Sequence, residues 1–410
     1  MGFDVAGRLV AREGARVRPA RATRMRRALS ALGIAVSLLA STGAAGADAH
    51  ETFRRFLDPQ DGYLDLSEWL LERKGFLPVP IIITEPAVGY GGGIALVFIR
   101  GSIGDAIEKA KKEGGHLVPP DIWVAAGFAT ENGTRGAAVG GQVTFDEDRW
   151  RYRGGVGDFR VNLDFYGIGG FLPIAIGKVG YTLQGFGSFQ QGMYRLGASD
   201  TFIGARWIYT DLSTSLDVGA GEISLTSREL AQRNSGLGVV VEHDSRDNIF
   251  TPNRGWIGAA EATFYDPDFG GANRFQAYRA HVFAYWPALD KLTVGLRIDG
   301  RAARGDVPFY FLPFIDMRGI PAARYQDQNT GVLETELRYD VTERWSVVGF
   351  IGAGRAWGRN ASFADSPSEV SKGVGFRYLL ARRLGLYVGI DVARGPEDDA
   401  FYLQVGNGWR

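Results

Sequence analysis

The sequence predicts an all-β fold, a transmembrane barrel of the bacterial outer membrane type. Three observations carry that expectation. Short segments with alternating apolar and polar residues follow one another along most of the chain. A secretory leader precedes them on a chain without cysteine, and aromatic residues gather near segment ends. Alternation alone also fits a soluble sandwich, with the apolar face buried between sheets and the polar face in water. A closed barrel, however, removes the edges that so long a β chain would otherwise expose.

At 410 residues the chain could form two or three soluble domains or one large barrel. Lys plus Arg and Asp plus Glu balance at 46 each, so there is no electrostatic footprint for nucleic acid. The absence of cysteine excludes a disulfide framework, a thiolate metal site and a cysteine nucleophile. The 58 glycines and plentiful aromatics fit many short strands. Beyond the leader no apolar run reaches the roughly eighteen residues of a spanning helix.

Residues 25–49 read as a signal peptide. Arg26 and Arg27 form the positive start, Ala28 to Ala40 the apolar centre, and Ala45-Gly46-Ala47 or Ala47-Asp48-Ala49 the cleavage site. The Arg-rich stretch before Met25 is an extension, so residues 1–49 are set aside from the fold and Met25 is an alternative start. Residues 50–79 are expected to be a short periplasmic segment with one helix, begun by Asp65 or Ser67, supported by Glu68, and ended by Gly75 and Pro78. Its Asp61 to Glu68 run mimics half of a calcium loop. Leu57 and Pro59 would then fall at ligand positions without side-chain oxygens, so a helix cap explains the run better than a metal.

The barrel is expected over residues 80–410. Candidate strands are 88–99, 121–130, 135–146, 150–162, 179–192, 200–210, 236–244, 255–265, 274–286, 291–302, 331–341, 345–356, 372–380, 384–393 and 400–409. A short strand at 80–84 precedes them. Many have about the nine to eleven residues that cross a bilayer as a tilted strand. Bacterial barrels use even numbers, which gives sixteen strands, or fourteen if the first and one other segment fail. The stretches 164–178 and 211–235 are the least regular. Leu292, Val294, Leu296 and Ile298 oppose Thr293, Gly295, Arg297 and Asp299; Leu333, Thr335, Leu337 and Tyr339 oppose Glu334, Glu336 and Arg338. In a membrane barrel the apolar set faces lipid and the charged set the lumen. Trp150, Tyr209, Trp256, Trp286, Tyr339, Trp345 and Trp409 read as interfacial girdles.

No reaction chemistry emerges. Gly89 to Ala95 lacks the Gly-Lys-Ser/Thr ending of a phosphate loop. His243, Asp244 and Ser245 are consecutive, so alternation sends neighbours to opposite faces, and the four histidines form no ligand cluster. The reading is a monomeric barrel without enzyme activity, metal or cofactor, in contact with outer-membrane lipids.

Two other stretches stand out. Residues 304–331 form a connection far longer than a hairpin needs, rich in aromatics, with Met317 to Tyr325 at its centre. His243 to Trp256 is a turn with Asp244, Arg246, Asp247, Asn248, Pro252 and Gly255 at turn-competent positions. These two stretches and the Glu334-x-Glu336-x-Arg338-Tyr339 strand resemble the bacterial surface antigen domain, the barrel of the outer-membrane protein assembly and two-partner secretion superfamily. The resemblance is specific from about Gly236 to Arg410 and rests on strand pattern over 80–235. It implies that Arg318 and Gly319 form the Arg-Gly motif of an extracellular loop folded into the lumen, with Arg318 paired to acids on the wall. Glu336 matches one acid, and Glu334 shares its face. The family's second acid, on the next strand, is replaced by Gly352, which implies a weaker clamp.

The resemblance further implies insertion of outer-membrane proteins or polypeptide translocation. Partners would be unfolded outer-membrane or secreted polypeptides and accessory periplasmic proteins. Family members of this kind carry periplasmic client-receiving domains, and about thirty residues between leader and first strand are too few for one. The alternative is therefore a pore or structural surface barrel that has lost client handling. Phe401, Leu403, Val405 and Trp409 form the expected C-terminal strand signal, although Arg410 follows.

Overall fold

The computed structural model describes residues 56–72, 75–100, 121–165, 179–217 and 230–409. The leader, residues 1–49, and parts of both irregular stretches lie outside the described residues. A short helix, α1 (Ser67–Glu72), precedes a single sheet of sixteen strands in sequence order. These are β1 (Gly75–Ile83), β2 (Gly91–Arg100), β3 (Asp121–Thr130), β4 (Arg135–Phe145), β5 (Trp150–Phe165), β6 (Val179–Arg195), β7 (Thr201–Asp217) and β8 (Leu230–Asp244). The second half comprises β9 (Gly255–Tyr265), β10 (Phe275–Leu289), β11 (Leu292–Gly305), β12 (Asn329–Asp340), β13 (Trp345–Trp357), β14 (Glu369–Ala381), β15 (Leu386–Arg394) and β16 (Asp399–Val405).

Every neighbouring pair is antiparallel, so the sheet is an up-and-down meander curled into a nearly closed barrel. Among the described residues no ladder joins β1 to β16. That seam is the sheet's one unpaired junction.

Period-2 alternation sorts the faces. On β11 Arg297, Asp299 and Ala303 are buried while Ile298 is half exposed; on β12 Glu334 and Arg338 are buried while Leu333, Leu337 and Tyr339 stand outward. The exposed set is apolar, as a lipid-facing band requires, and the buried set carries the charges. Trp150, Trp256, Trp286, Trp345 and Tyr339 are all exposed. This is an integral barrel of the bacterial outer membrane.

Two boundaries differ from the sequence reading. The barrel begins at Gly75, inside the segment assigned to the periplasm. Pro78 and Pro80 look like breakers, but an edge strand tolerates proline where no neighbour needs its N–H. At the other end β16 stops at Val405, because Gly406 takes φ 75° and breaks the alternation. Trp409 therefore leaves the outward face expected for it. It is 95% buried inside, against Phe283 and Tyr285 on the lumen face of β10. Asn407 donates to the Tyr285 hydroxyl, fixing this inward hook.

Candidate functional site

The candidate site is the lumen wall of β11 to β16 together with the connection 306–328. That connection enters the barrel because its own apolar residues fill the lumen. Ile315, Met317 and Ile320 pack with Val332, while Val307 and Leu312 pack with Tyr265, Phe275 and Ala303. With this much apolar surface to bury, the segment gains more inside the wall than in water.

At its tip Arg318 is buried among three carboxylates. Its Nε donates to Glu334 Oε1 at 3.1 Å, its Nη1 donates to Asp391 Oδ2 at 2.8 Å, and its Nη2 lies 2.7 Å from Glu336 Oε2. The guanidinium also stacks over Phe350, 3.6 Å from the ring centre. Four groups thus surround one cation, using its planar fork and its π face together. Further arginines balance the acids. Arg377 holds Asp391 at 2.5 and 3.0 Å, and Arg297 lies 3.8 Å from Glu334. Arg297, Arg279 and Arg301 share Asp299, and Arg301 reaches Asp316 of the loop at 2.8 Å. Buried charges of this density persist only when paired in this way.

Gly352 supplies no acid, yet a further carboxylate meets Arg318 from another strand. Gly352 faces Glu334 across the β12–β13 ladder, and a Cβ there would lie 2.9 Å from Met317 Sδ and 3.1 Å from Glu334 Cβ. The loop itself fills that space. The extra carboxylate comes from Asp391 on β15, where Gly375 opposite it leaves room. Alternation along Leu386, Val388, Ile390 and Val392 puts Asp391 on the opposite, inner face, but its proximity to Arg318 depends on barrel curvature that no local pattern carries.

Gly319 adopts φ 87°, and a Cβ would meet Ser371 Oγ at 2.7 Å and Gly395 N at 3.0 Å. Only glycine satisfies both restrictions. Its N–H donates to the Tyr402 hydroxyl at 2.9 Å, and Ser371 donates to the Arg318 carbonyl. The same loop spans the seam at the end formed by the β1–β2 and β15–β16 turns. Ala322 N donates to Glu85 Oε1 at 3.1 Å on the β1–β2 turn, while Tyr325 and Arg324 bind Glu397 on the β15–β16 turn. Burial pushes the Glu85 carboxyl above its ordinary value.

The turn 245–254 closes on itself and docks at the β14–β15 end of the barrel. Asp244 accepts from Arg246 Nε at 2.8 Å, Asp247 accepts from Asn253 N at 2.9 Å, and Asn248 accepts from Phe250 N at 2.7 Å. Asn248 Nδ2 donates to the Leu384 carbonyl at 2.8 Å, Pro252 is fully buried, and Gly255 takes φ 90°. Phe401, Leu403 and Val405 lie on the lipid side of β16, away from Arg318.

A second charge cluster escaped the sequence reading. Asp58, Asp61 and Asp65 close on Arg344 of the β12–β13 turn, with Nε–Asp61 at 2.6 Å and Nη1–Asp65 at 2.7 Å. The run that mimicked a calcium loop holds a guanidinium. Arg382 of the β14–β15 turn joins Asp58 and Asp61, and Leu71 packs on Ala381 and Leu384. The segment is thereby clasped to the rim formed by the β12–β13 and β14–β15 turns. The Arg344 hydrogen bond lowers the Asp61 carboxyl to about 2.

The architecture has known counterparts. BamA from Haemophilus ducreyi, in a form lacking POTRA domains 1–3, superposes with TM-score 0.54 at 10% identity over 82% of this chain and 70% of that one. CdiB from Acinetobacter baumannii gives 0.54 at 14% identity, covering 80% and 59%; CdiB from Escherichia coli gives 0.51 at 13%, covering 80% and 61%. The barrel fold is shared with BamA and CdiB. This chain spans about three fifths of each CdiB chain. At the level of sequence, no family model and no curated protein matches.

Proposed function

We propose that this barrel inserts polypeptides into the outer membrane or moves them across it. In this reading loop 306–328 is the in-folded stopper and the β1–β16 seam is the route. The carrying observation is the pairing of an occupied lumen with an unclosed seam. The loop fills the barrel from outside and is pinned through Arg318, while turn 245–254 and the Trp409 hook lie at the other end. A permanent pore gains nothing from such filling, whereas a gated route needs a removable stopper. Fold similarity to BamA and CdiB and the Arg318-Gly319 resemblance support the same reading.

The test is reconstitution in liposomes, scoring the folding rate of a urea-unfolded eight-stranded outer-membrane barrel and, separately, ion conductance. The expected result is faster client folding with the intact chain and a loss of that gain in Arg318→Ala. Steady conductance with client folding no faster than in empty liposomes would refute the proposal.

A further inference from the structure

The two lips of the seam differ in backbone chemistry. The β1–β2 register runs unshifted from Gly75↔Ile99 to Ile83↔Gly91, straight through Pro78 and Pro80. Proline has no N–H, so an unbroken ladder accommodates both only if even-numbered residues turn their backbone away from β2. The seam edge of β1 therefore carries Phe76, Pro78, Pro80 and Ile82, and its middle has no donor. On β16 the parity is fixed by Gly406, whose N–H donates to the Tyr387 carbonyl at 2.7 Å. Even-numbered residues thus face β15, and Asp399, Phe401, Leu403 and Val405 turn a complete row of N–H and C=O groups into the seam.

The β16 lip is also the more firmly held. Tyr402 is bonded to Gly319 of the loop, and the hook beyond Val405 is seated by Trp409 against Phe283 and Tyr285. Lipid cannot satisfy a row of free backbone groups at membrane depth, whereas an added strand can. Phe401, Leu403 and Val405 face lipid, while Tyr402 and Gln404 face the lumen. A strand continuing these faces has apolar residues on alternate positions outward and polar or small residues inward.

We infer that β16, not β1, is the edge on which an extended client strand of that pattern adds, and that β1 is a donor-poor lip that yields. This rests on the proposed passage of polypeptide through the seam. The chain has no cysteine, so single cysteines report without background. Variants Leu403→Cys and Ile82→Cys would be reconstituted with the unfolded eight-stranded client carrying one cysteine, scanned along its first and last strands. Folding rate and disulfide yield under mild oxidation are read together.

The expected result is client bonded to Leu403→Cys at about tenfold or more the yield at Ile82→Cys, since two ladder bonds are missing on β1. In Pro78→Val/Pro80→Val the restored donors should raise the yield at Ile82→Cys. Equal or greater yield at Ile82→Cys in the parent chain overturns the inference, as does an unchanged yield there in the double variant. Accelerated client folding with bonds to neither lip overturns it while leaving the insertion reading intact. No acceleration overturns both.

Discussion

Replacing Arg318 with alanine tests the loop anchor most directly. The change leaves Glu334 and Asp391 buried and Glu336 partly buried, and among the described residues Arg297 and Arg377 remain as their ion-pair partners. Removing one partner of a buried pair costs about 3–5 kcal/mol, because the remaining charge keeps its desolvation penalty. Applied to loop docking, that is roughly a 10²- to 10⁴-fold shift from docked toward undocked. The apolar packing of Ile315, Met317 and Ile320 persists, so the loop should loosen and the barrel should remain. Trypsin cleavage after Arg324 in intact proteoliposomes reads docking, and heat-dependent gel mobility reads the barrel. Arg318→Ala should be cleaved at least tenfold faster at unchanged barrel mobility. Adding Glu336→Gln removes an acid whose ion-pair partner is Arg318, and should recover part of the protection, with a coupling of about 0.5–3 kcal/mol. Cleavage of Arg318→Ala at the parent rate would refute the claim that the carboxylates hold the loop.

Two further outcomes follow from the same geometry. Gly352→Asp, which restores the acid that the resemblance leads one to expect, should loosen the loop, since its Cβ would sit 2.9 Å from Met317 Sδ and the added charge would face Glu334. Trypsin protection equal to or above that of the parent chain would contradict this. The clasp around Arg344 should depend on acid. Asp61 is held near 2 in the folded chain against an ordinary 3.8, so its contribution is complete above about pH 4 and is lost as pH falls toward 2. The Leu66 amide donates to the Leu380 carbonyl across the clasp, and its hydrogen-exchange protection should fall over that window and be low at all pH in Arg344→Gln. Protection that stays flat in the parent chain would exclude the carboxylates as the fastening.

What the sequence made legible was whatever repeats with a local period. The inner and outer faces of β11 to β15 follow from alternation alone, and so does the inward placement of Glu334, Glu336 and Asp391. The misses all involve a break in that period or a partner far along the chain. Pro78 reads as a stop, and the first strand is expected only from Pro80, because tolerance of proline depends on lying at an edge, a property of the whole sheet. Trp409 was carried outward by extending the period of Phe401, Leu403 and Val405 through Gly406-Asn407-Gly408, although two glycines flanking an asparagine were a visible turn signal.

The clasp was hidden because Asp61 and Arg344 are 283 residues apart and each looks ordinary alone. The acid that the resemblance leads one to expect at Gly352, and that the structure has at Asp391, teaches the same lesson at the site itself. In a barrel the wall facing an in-folded loop is drawn from several strands, so the carboxylate that meets Arg318 is set by the lumen's curvature and by which glycines leave space. Asp391 thus pairs with Arg318 although Gly352 carries no acid. Asp391 is held between Arg318 and Arg377, so it couples the loop to β14 and β15, one strand from the seam. Any rearrangement that withdraws Arg318 leaves Asp391 bound through Arg377 alone. Asp391 therefore joins the loop to the wall one strand from the seam, beside the direct hydrogen bond from the Gly319 amide to Tyr402 on β16.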